Sequence, residues 1–172
     1  CRCGIGGGNC CITATQLGVF CPMATLINDI YKIKLELIEK GQFTKLPKIV
    51  AAGGVRNYDD IIKALALGAD FVMCGSIFAR ALESAADKKC KNNSEVFLLE
   101  NYKNLKFQNG IWSGEYSDKA ISELGREDLK GKTIDLGRIS ATYYGMASQQ
   151  GQIALNGRKT KTSEGNMKIF DV

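Results

Sequence analysis

From Met23 to Glu39 the apolar residues Ala24, Ile27, Tyr31, Leu35 and Ile38 recur at steps of three or four, which predicts an amphipathic helix stopped by Gly41. The pattern then changes to short, continuous apolar runs. Pro47 to Ala52 reads as a buried strand closed by Gly53-Gly54, and Asp70 to Cys74 as another closed by Gly75-Ser76. Between them a helix is predicted with Asn57 as N-cap, Asp59 and Asp60 in its first turn, an apolar face of Ile61, Ile62, Ala64 and Leu65, and Gly68 as its stop. A third helix is expected from Ile77 to Ala86. Arg2 to Ile5 reads as the tail of a strand that enters a glycine loop.

Strand, glycine turn and helix thus repeat as a βα unit of about 22 residues from Lys48 to Asp70. Parallel units this short belong to α/β folds, either an open doubly wound sheet or a (β/α)8 barrel. In both, the loops at the C-terminal ends of the strands carry the chemistry. From Asp87 the pattern loosens. Lys88 to Asn93 reads as a surface loop, Ser94 to Gly114 as a hairpin turning at Asn109-Gly110, and Lys119 to Leu124 as a short helix. The polar, glycine-containing run from Ser148 through Gly165 reads as a mobile flap.

Composition narrows the class. With 45% hydrophobic and 24% charged residues the chain is typical of a soluble globular domain, and no apolar run spans a bilayer or resembles a signal peptide. It begins with Cys1 rather than Met, as expected of a fragment, a processed product or the ordered part of something longer. Seven cysteines without a C-x-x-C pair, and no histidine, argue against a zinc site and a disulfide framework; reduced thiols and a cytoplasmic location follow. The net charge of +5 is concentrated in Lys88, Lys89 and Lys91 and in Arg158, Lys159 and Lys161. Without interleaved aromatic residues this reads as a solvated face and argues against nucleic acid, while an anionic substrate such as a phosphate ester would be served equally well.

Candidate chemistry begins at Gly4-Ile5-Gly6-Gly7-Gly8-Asn9-Cys10-Cys11-Ile12-Thr13. A backbone so rich in glycine turns sharply and approaches a ligand or ion closely, and the cysteines at its far edge are either nucleophiles or small buried hydrophobes. Gly53-Gly54 and Gly75-Ser76, each at a strand end and each feeding a helix, are a candidate phosphate cradle or simply tight βα turns.

These segments, together with Ala52-Gly53-Gly54-Val55, Val72-Met73-Cys74-Gly75-Ser76, Tyr144-Gly145-Met146-Ala147-Ser148 and Thr162-Ser163-Glu164-Gly165, resemble in order and context the inosine monophosphate dehydrogenase and guanosine monophosphate reductase family. The resemblance covers residues 1–86 and 143–165. It implies a (β/α)8 barrel of which 1–86 are the C-terminal βα units with the catalytic cysteine loop, 87–142 an insertion, and 143–172 an active-site motif and flap returning to the barrel. The N-terminal barrel half, which would supply most nicotinamide contacts, is then absent from this chain and becomes a partner.

The resemblance further implies that Cys11 is the nucleophile toward C2 of a purine mononucleotide, with Thr13 and Glu164 in proton transfer. Gly54, Gly75, Ser76 and Tyr143 fall at the 5′-phosphate positions. Met73, Gly145 and Met146 fall at the base and flap, and the carbonyls of Gly6, Gly8 and Cys11 at a monovalent cation, K+. The Thr-Ser-Glu-Gly context, and the lack of an Arg-Tyr pair between Ser148 and Gly165, favour reductive deamination of GMP to IMP with NADPH. NAD-dependent oxidation of IMP and nucleotide binding without catalysis are the alternatives. The resemblance also implies a tetramer.

Four positions depart from the family pattern. Ala52 stands where the family has an aspartate holding both ribose hydroxyls, Asn9 where it has a phosphate-contacting serine, Ala14 where it has an arginine and Ala147 where it has a glycine. Loss of a charge-assisted hydrogen bond to ribose is worth about 1.5–3 kcal/mol. Three strands alone leave sheet edges and apolar faces uncovered, so the chain is not expected to be autonomous.

Overall fold

The structure is a computed structural model that describes residues 1–42, 45–91, 94–145, 148–158, 165 and 167–172. In chain order the elements are β1 (Arg2–Cys3), α1 (Thr13–Leu17), α2 (Met23–Glu39), β2 (Val50–Ala52), α3 (Tyr58–Ala66), β3 (Phe71–Met73), α4 (Ser76–Ala79), β4 (Lys88–Cys90), β5 (Glu95–Phe97), β6 (Tyr102–Gln108), β7 (Ile111–Tyr116), α5 (Asp118–Leu124), β8 (Thr133–Gly137), β9 (Ser140–Tyr144), α6 (Gln149–Asn156) and β10 (Met167–Asp171). The chain is α/β and divides into two units, residues 1–78 with 144–168, and residues 79–143 with 169–172.

In the first unit β1, β2 and β3 form a parallel sheet in that order, with Cys3 opposite Ala51 and Ala51 opposite Val72. The helices between the strands end as their sequence dictates. Gly41 takes φ +62°, its N–H donates to Ile38 O and the Gln42 N–H to Leu37 O, closing α2 in a Schellman motif. The same motif closes α3, where Gly68 and Ala69 donate to Leu65 O and Ala64 O. At the other end of α3, Asn57 Oδ1 accepts from the Asp60 N–H while the Asp60 carboxylate accepts from the Arg56 N–H. A Cβ on Gly68 would lie 2.2 Å from Tyr31 Cγ, so α2 rests directly on the end of α3.

The core beneath the sheet is Cys3, Ile27, Ile49, Ala51, Ala64 and Ala69. Of the apolar stripe predicted on α2 only Ile27 is buried, while Leu35 and Ile38 remain exposed. A helix of 17 residues is about 25 Å long, whereas strands of three residues span only about 10 Å, so the sheet covers the first half of the helix and no more. The predicted face of α3 is corrected likewise, with Ala64 buried and Ile62 and Leu65 exposed. On β3, Phe71 and Met73 are 57% and 47% exposed, leaving one face of this edge strand open.

In the second unit β6, β7 and β8 form an antiparallel sheet, and β10, β9, β4 and β5 a second sheet in that order. The β6–β7 hairpin turns where predicted, with Asn109 at φ 52° and Gly110 at φ 80°, the left-handed pair that a two-residue turn requires. Helix α5 begins at the Ser117 cap, whose hydroxyl accepts from the Ala120 N–H. Cys90, Phe97, Leu136 and Ile139 form the core, flanked by the stacked rings of Phe97 and Tyr102, 5.1 Å apart.

Two expectations are corrected here. The helix predicted from Ile77 to Ala86 is only the single turn of α4; the Ser84 hydroxyl donates to Ala79 O, and Lys88 Nζ donates to Ser84 O and Ala86 O, so side chains hold the following carbonyls in a non-helical path. Lys88 to Cys90 is a strand, not a surface loop, with Lys88 and Cys90 facing inward. Burial pushes the Lys88 ammonium below the usual lysine range, and the two carbonyls take the place of water. The run after Ser148 opens as α6, with buried Gly151 and Gln152. Among the described residues no helix is long and apolar enough to cross a membrane.

Candidate active site

The C-terminal ends of β1, β2 and β3 bring the glycine loop and both glycine turns of the first unit together. Gly4 lies so close to β2 that a Cβ would sit 1.8 Å from Ala52 O. Gly6 has φ +73°, and a Cβ there would meet Val19 O at 2.8 Å. Gly53 has φ +112° with its own Cβ position 3.1 Å from Gly8 N, and Gly54 has φ +79°. Only glycine satisfies both the torsion and the contact at these positions, so the loop stacks backbone to backbone on the turn.

The loop then delivers its thiols in different states. The Cys11 N–H donates to Gly8 O at 3.0 Å, forming the tight turn that precedes α1. Cys11 is exposed, and its thiol donates to Thr13 Oγ1 at 3.2 Å. Cys10 is buried, and desolvation raises its pKa above the usual thiol value despite the opposing charge of Lys168. The exposed member of the vicinal pair therefore has a hydroxyl beside it, and burial disfavours the charged form of the other.

A link that sequence reasoning missed joins the loop to the turn after β3. Asn9 Nδ2 donates to Ser76 Oγ at 2.5 Å, and Ser76 Oγ donates to Val55 O at 3.4 Å. Ser76 is buried, and Gly75 immediately precedes it at the strand end. Gly54 borders a cleft of about 150 Å³ that it shares with Met23, Val55, Asp60 and Lys63.

The segment following β9 also returns to the loop. A Cβ on Gly165, at φ +114°, would lie 2.8 Å from Cys10 O. Ser148, fully buried, caps α6 by accepting from the Gly151 N–H and donates to Gly145 O. A serine one residue ahead of a helix is an N-cap signal, and reading it would have found α6.

Of the expected site residues, the first unit thus brings together Gly6, Gly8, Cys11, Thr13, Gly54, Gly75 and Ser76. Met73 lies on β3 and Gly145 at the end of β9. Tyr143 belongs to the second unit, its ring 6.0 Å from that of Phe170, over which the Arg80 guanidinium sits at 4.6 Å. Glu164 and Met146 lie outside the described residues. Among the described residues no group of His, Cys, Asp or Glu could hold a metal ion. The first basic cluster is broken up: Lys88 faces inward and Lys91 pairs with Glu95 at 3.4 Å.

Residues 1–149 match the sequence profile described as "IMP dehydrogenase / GMP reductase domain". The chain belongs to this family. It is 38% identical over 147 residues to the inosine-5′-monophosphate dehydrogenase of Thermoplasma acidophilum, which covers 83% of this chain and 28% of that relative. It is 38% identical over 92 residues to the Borreliella burgdorferi protein of the same name, covering 54% and 21%, and 32% identical over 149 residues to that of Staphylococcus aureus strain Mu50, covering 82% and 28%. This member of the IMP dehydrogenase and GMP reductase family therefore spans 28% or less of the length of these relatives.

Proposed function

We propose that the chain forms the nucleotide-reacting end of a purine-nucleotide oxidoreductase that oxidises IMP with NAD. The observation that carries this reading is the exposed Cys11 thiol, 3.2 Å from Thr13 Oγ1, on a loop seated against the glycine turns at the strand ends. The names of its relatives favour IMP over GMP as the starting nucleotide. In this reading Cys11 Sγ forms a bond to C2 of the purine as hydride leaves that carbon. Water then attacks C2 and the carbon–sulfur bond breaks, returning the thiol and releasing the 2-oxo nucleotide. A bound nicotinamide dinucleotide supplies the hydride acceptor. Thr13 Oγ1 accepts the thiol hydrogen bond before attack and relays a proton afterwards, and Glu164 is assigned a role in proton transfer.

The 5′-phosphate is assigned to Gly54, Gly75 and Ser76, and K+ to the carbonyls of Gly6, Gly8 and Cys11. The Gly8 carbonyl already accepts the Cys11 N–H and keeps a second lone pair for an ion. The three parallel strands are read as part of a (β/α)8 barrel whose other strands cover the open apolar stripes of α2, α3 and β3, with residues 87–142 as an insertion. Parallel pairing and those exposed stripes support the assignment.

A second reading, reduction of GMP to IMP and ammonia with NADPH, is favoured by Thr162-Ser163-Glu164-Gly165 and by the lack of an Arg-Tyr pair between Ser148 and Gly165. Incubating the protein with IMP plus NAD and, separately, with GMP plus NADPH decides between them through nicotinamide absorbance. Formation of NADH from IMP, abolished in Cys11→Ser, is the expected result. Oxidation of NADPH with GMP alone would replace the first reading with the second, and silence in both assays would overturn the oxidoreductase reading.

A further inference from the structure

Alternate residues of a strand face the same way, so Cys1 and Cys3 put their side chains on one face of β1 while Arg2, between them, faces the other. Cys3 is 6% exposed, packed in the core with Ile27, Ile49 and Ala51, whereas Cys1 is exposed. The two sulfurs lie 3.7 Å apart, and the Cys3 thiol donates toward Cys1 Sγ and toward Cys1 O, also at 3.7 Å. Burial explains a cysteine at position 3 and not one at position 1. The pair precedes the glycine loop, and neither thiol has a part in the chemistry proposed above.

We infer that Cys1 and Cys3 form an oxidative modification site, a thiol pair that hydrogen peroxide converts reversibly to a disulfide. The exposed Cys1 Sγ attacks one peroxide oxygen and the O–O bond breaks, leaving a sulfenic acid on Cys1 and releasing water. Cys3 Sγ then attacks the sulfenic sulfur. The sulfur–sulfur bond forms, the sulfur–oxygen bond breaks, and hydroxide leaves with the Cys3 proton as a second water. The two thiols together lose two electrons and two protons, and the peroxide is reduced to two waters. Burial shields Cys3 from the oxidant, so position 1 is the point of entry and position 3 the resolving thiol.

On a strand, Cα atoms two residues apart are separated by about 6.6–6.8 Å, the upper end of what a disulfide spans. Closing the bond therefore draws β1 together around Arg2. The Cys1 carbonyl, which accepts from the Val50 N–H at 2.8 Å, is pulled from β2, and the strain makes the disulfide easy to reduce. Oxidation thus loosens the β1–β2 pairing, and a dithiol restores it.

Trypsin cuts after Arg2 and so separates the two cysteines unless a disulfide joins them. The protein is treated with a small excess of hydrogen peroxide, blocked with iodoacetamide, digested and read by mass spectrometry with and without dithiothreitol. Wild type is compared with Cys11→Ser, which takes away the exposed thiol of the glycine loop. In both, the peptide ending at Arg2 is expected joined to the one beginning at Cys3, and dithiothreitol releases it. Cys3→Ala should abolish the link and leave a Cys1 sulfenic acid that dimedone traps. Should that core substitution fold poorly, Cys1→Ser, at an exposed position, should leave Cys3 unoxidised under the same treatment. Hydrogen exchange at the Val50 amide should quicken about threefold or more on oxidation, as expected for one lost hydrogen bond, and slow again on reduction. A link that persists in Cys3→Ala, a wild-type Cys1 that stays reduced or is oxidised without joining Cys3, or equal oxidation of Cys3 in Cys1→Ser overturns the inference. An unchanged Val50 amide in the oxidised protein overturns the loosening of the strand pair.

Discussion

Replacing Asp70 with asparagine removes the charge on which the first unit is pinned. Its carboxylate accepts the Ile49 N–H at 2.8 Å and pairs with Lys34 at 2.9 Å and Lys48 at 3.0 Å, tying α2 and the lead into β2 to the start of β3. The backbone bond and the Lys34 bond, in that order, hold the carboxyl well below the usual carboxylate range. The Lys34 and Asp70 side chains are each 19% exposed, whereas Lys48 is 67% exposed, so that pair is worth no more than about 1 kcal/mol. Hydrogen bonds to a charged group contribute about 1.5–3 kcal/mol, and asparagine keeps a neutral acceptor for Ile49. The expected loss is about 2 kcal/mol for Asp70→Asn and about 3–4 kcal/mol for Asp70→Ala, which strands Lys34. The sign in pH follows from the lowered folded-state value. The unfolded chain binds the proton first, near pH 4, so the stabilisation is full above about pH 5 and is lost as the pH falls toward the folded-state value. Urea unfolding across this range, with hydrogen exchange at the Ile49 amide as the local probe, should show a wild-type slope that Asp70→Asn flattens. A loss below about 0.5 kcal/mol, or an unchanged slope in the variant, would refute the pinning role.

Gly4→Ala drives a Cβ into Ala52 O and should cost about 3 kcal/mol or more, because backbone stands on both sides of the clash, whereas Gly18→Ala, at φ +65° with open space around it, should cost only about 1 kcal/mol. Equal losses in thermal unfolding would show that the glycine loop does not need its contact with β2. With alanine at position 52 there is no carboxylate there for the ribose hydroxyls, so IMP and 2′-deoxy-IMP should bind within about tenfold of each other. A preference above about a hundredfold in calorimetry would mean that another group holds the ribose.

How far the sequence could be read depended on whether the deciding contacts are local. Helix α2 and the caps of α3 were legible because Gly41, Asn57, Asp60 and Gly68 act within one turn of their own positions, and Asn109-Gly110 sets its hairpin through its own torsions. Strand β4 was hidden by an inward-facing lysine, whose partners Ser84 O and Ala86 O come from a non-helical path that no periodicity reveals. The buried extent of α2 was equally illegible, since it depends on the length of a sheet and not on the helix. At the site, the glycines and the two cysteines stood out by composition. The burial difference between Cys10 and Cys11 and the bond from Asn9 to Ser76 required segments far apart in the chain to meet.

Three of the four departures from the family pattern, Asn9, Ala14 and Ala52, fall within the described residues and replace side chains rather than glycines. Gly4, Gly6, Gly53, Gly54 and Gly165 all stand where a Cβ would strike backbone within about 3.2 Å or where φ is positive, so steric exclusion leaves no alternative to glycine. Asn9, Ala14 and Ala52 stand where only a side-chain contact is at stake. Ala52 is buried with its carbonyl over Gly4, so an alanine methyl keeps the strand end intact while offering no polar group. Asn9 replaces a short hydroxyl by an amide long enough to reach Ser76. Loop geometry and thiol presentation are therefore preserved by backbone constraints that operate whatever the substrate, while Asn9 and Ala52 change groups that would touch phosphate and ribose. Divergence in this chain should accordingly show itself first in which nucleotide binds and how tightly, and only afterwards in what the Cys11 thiol does to it.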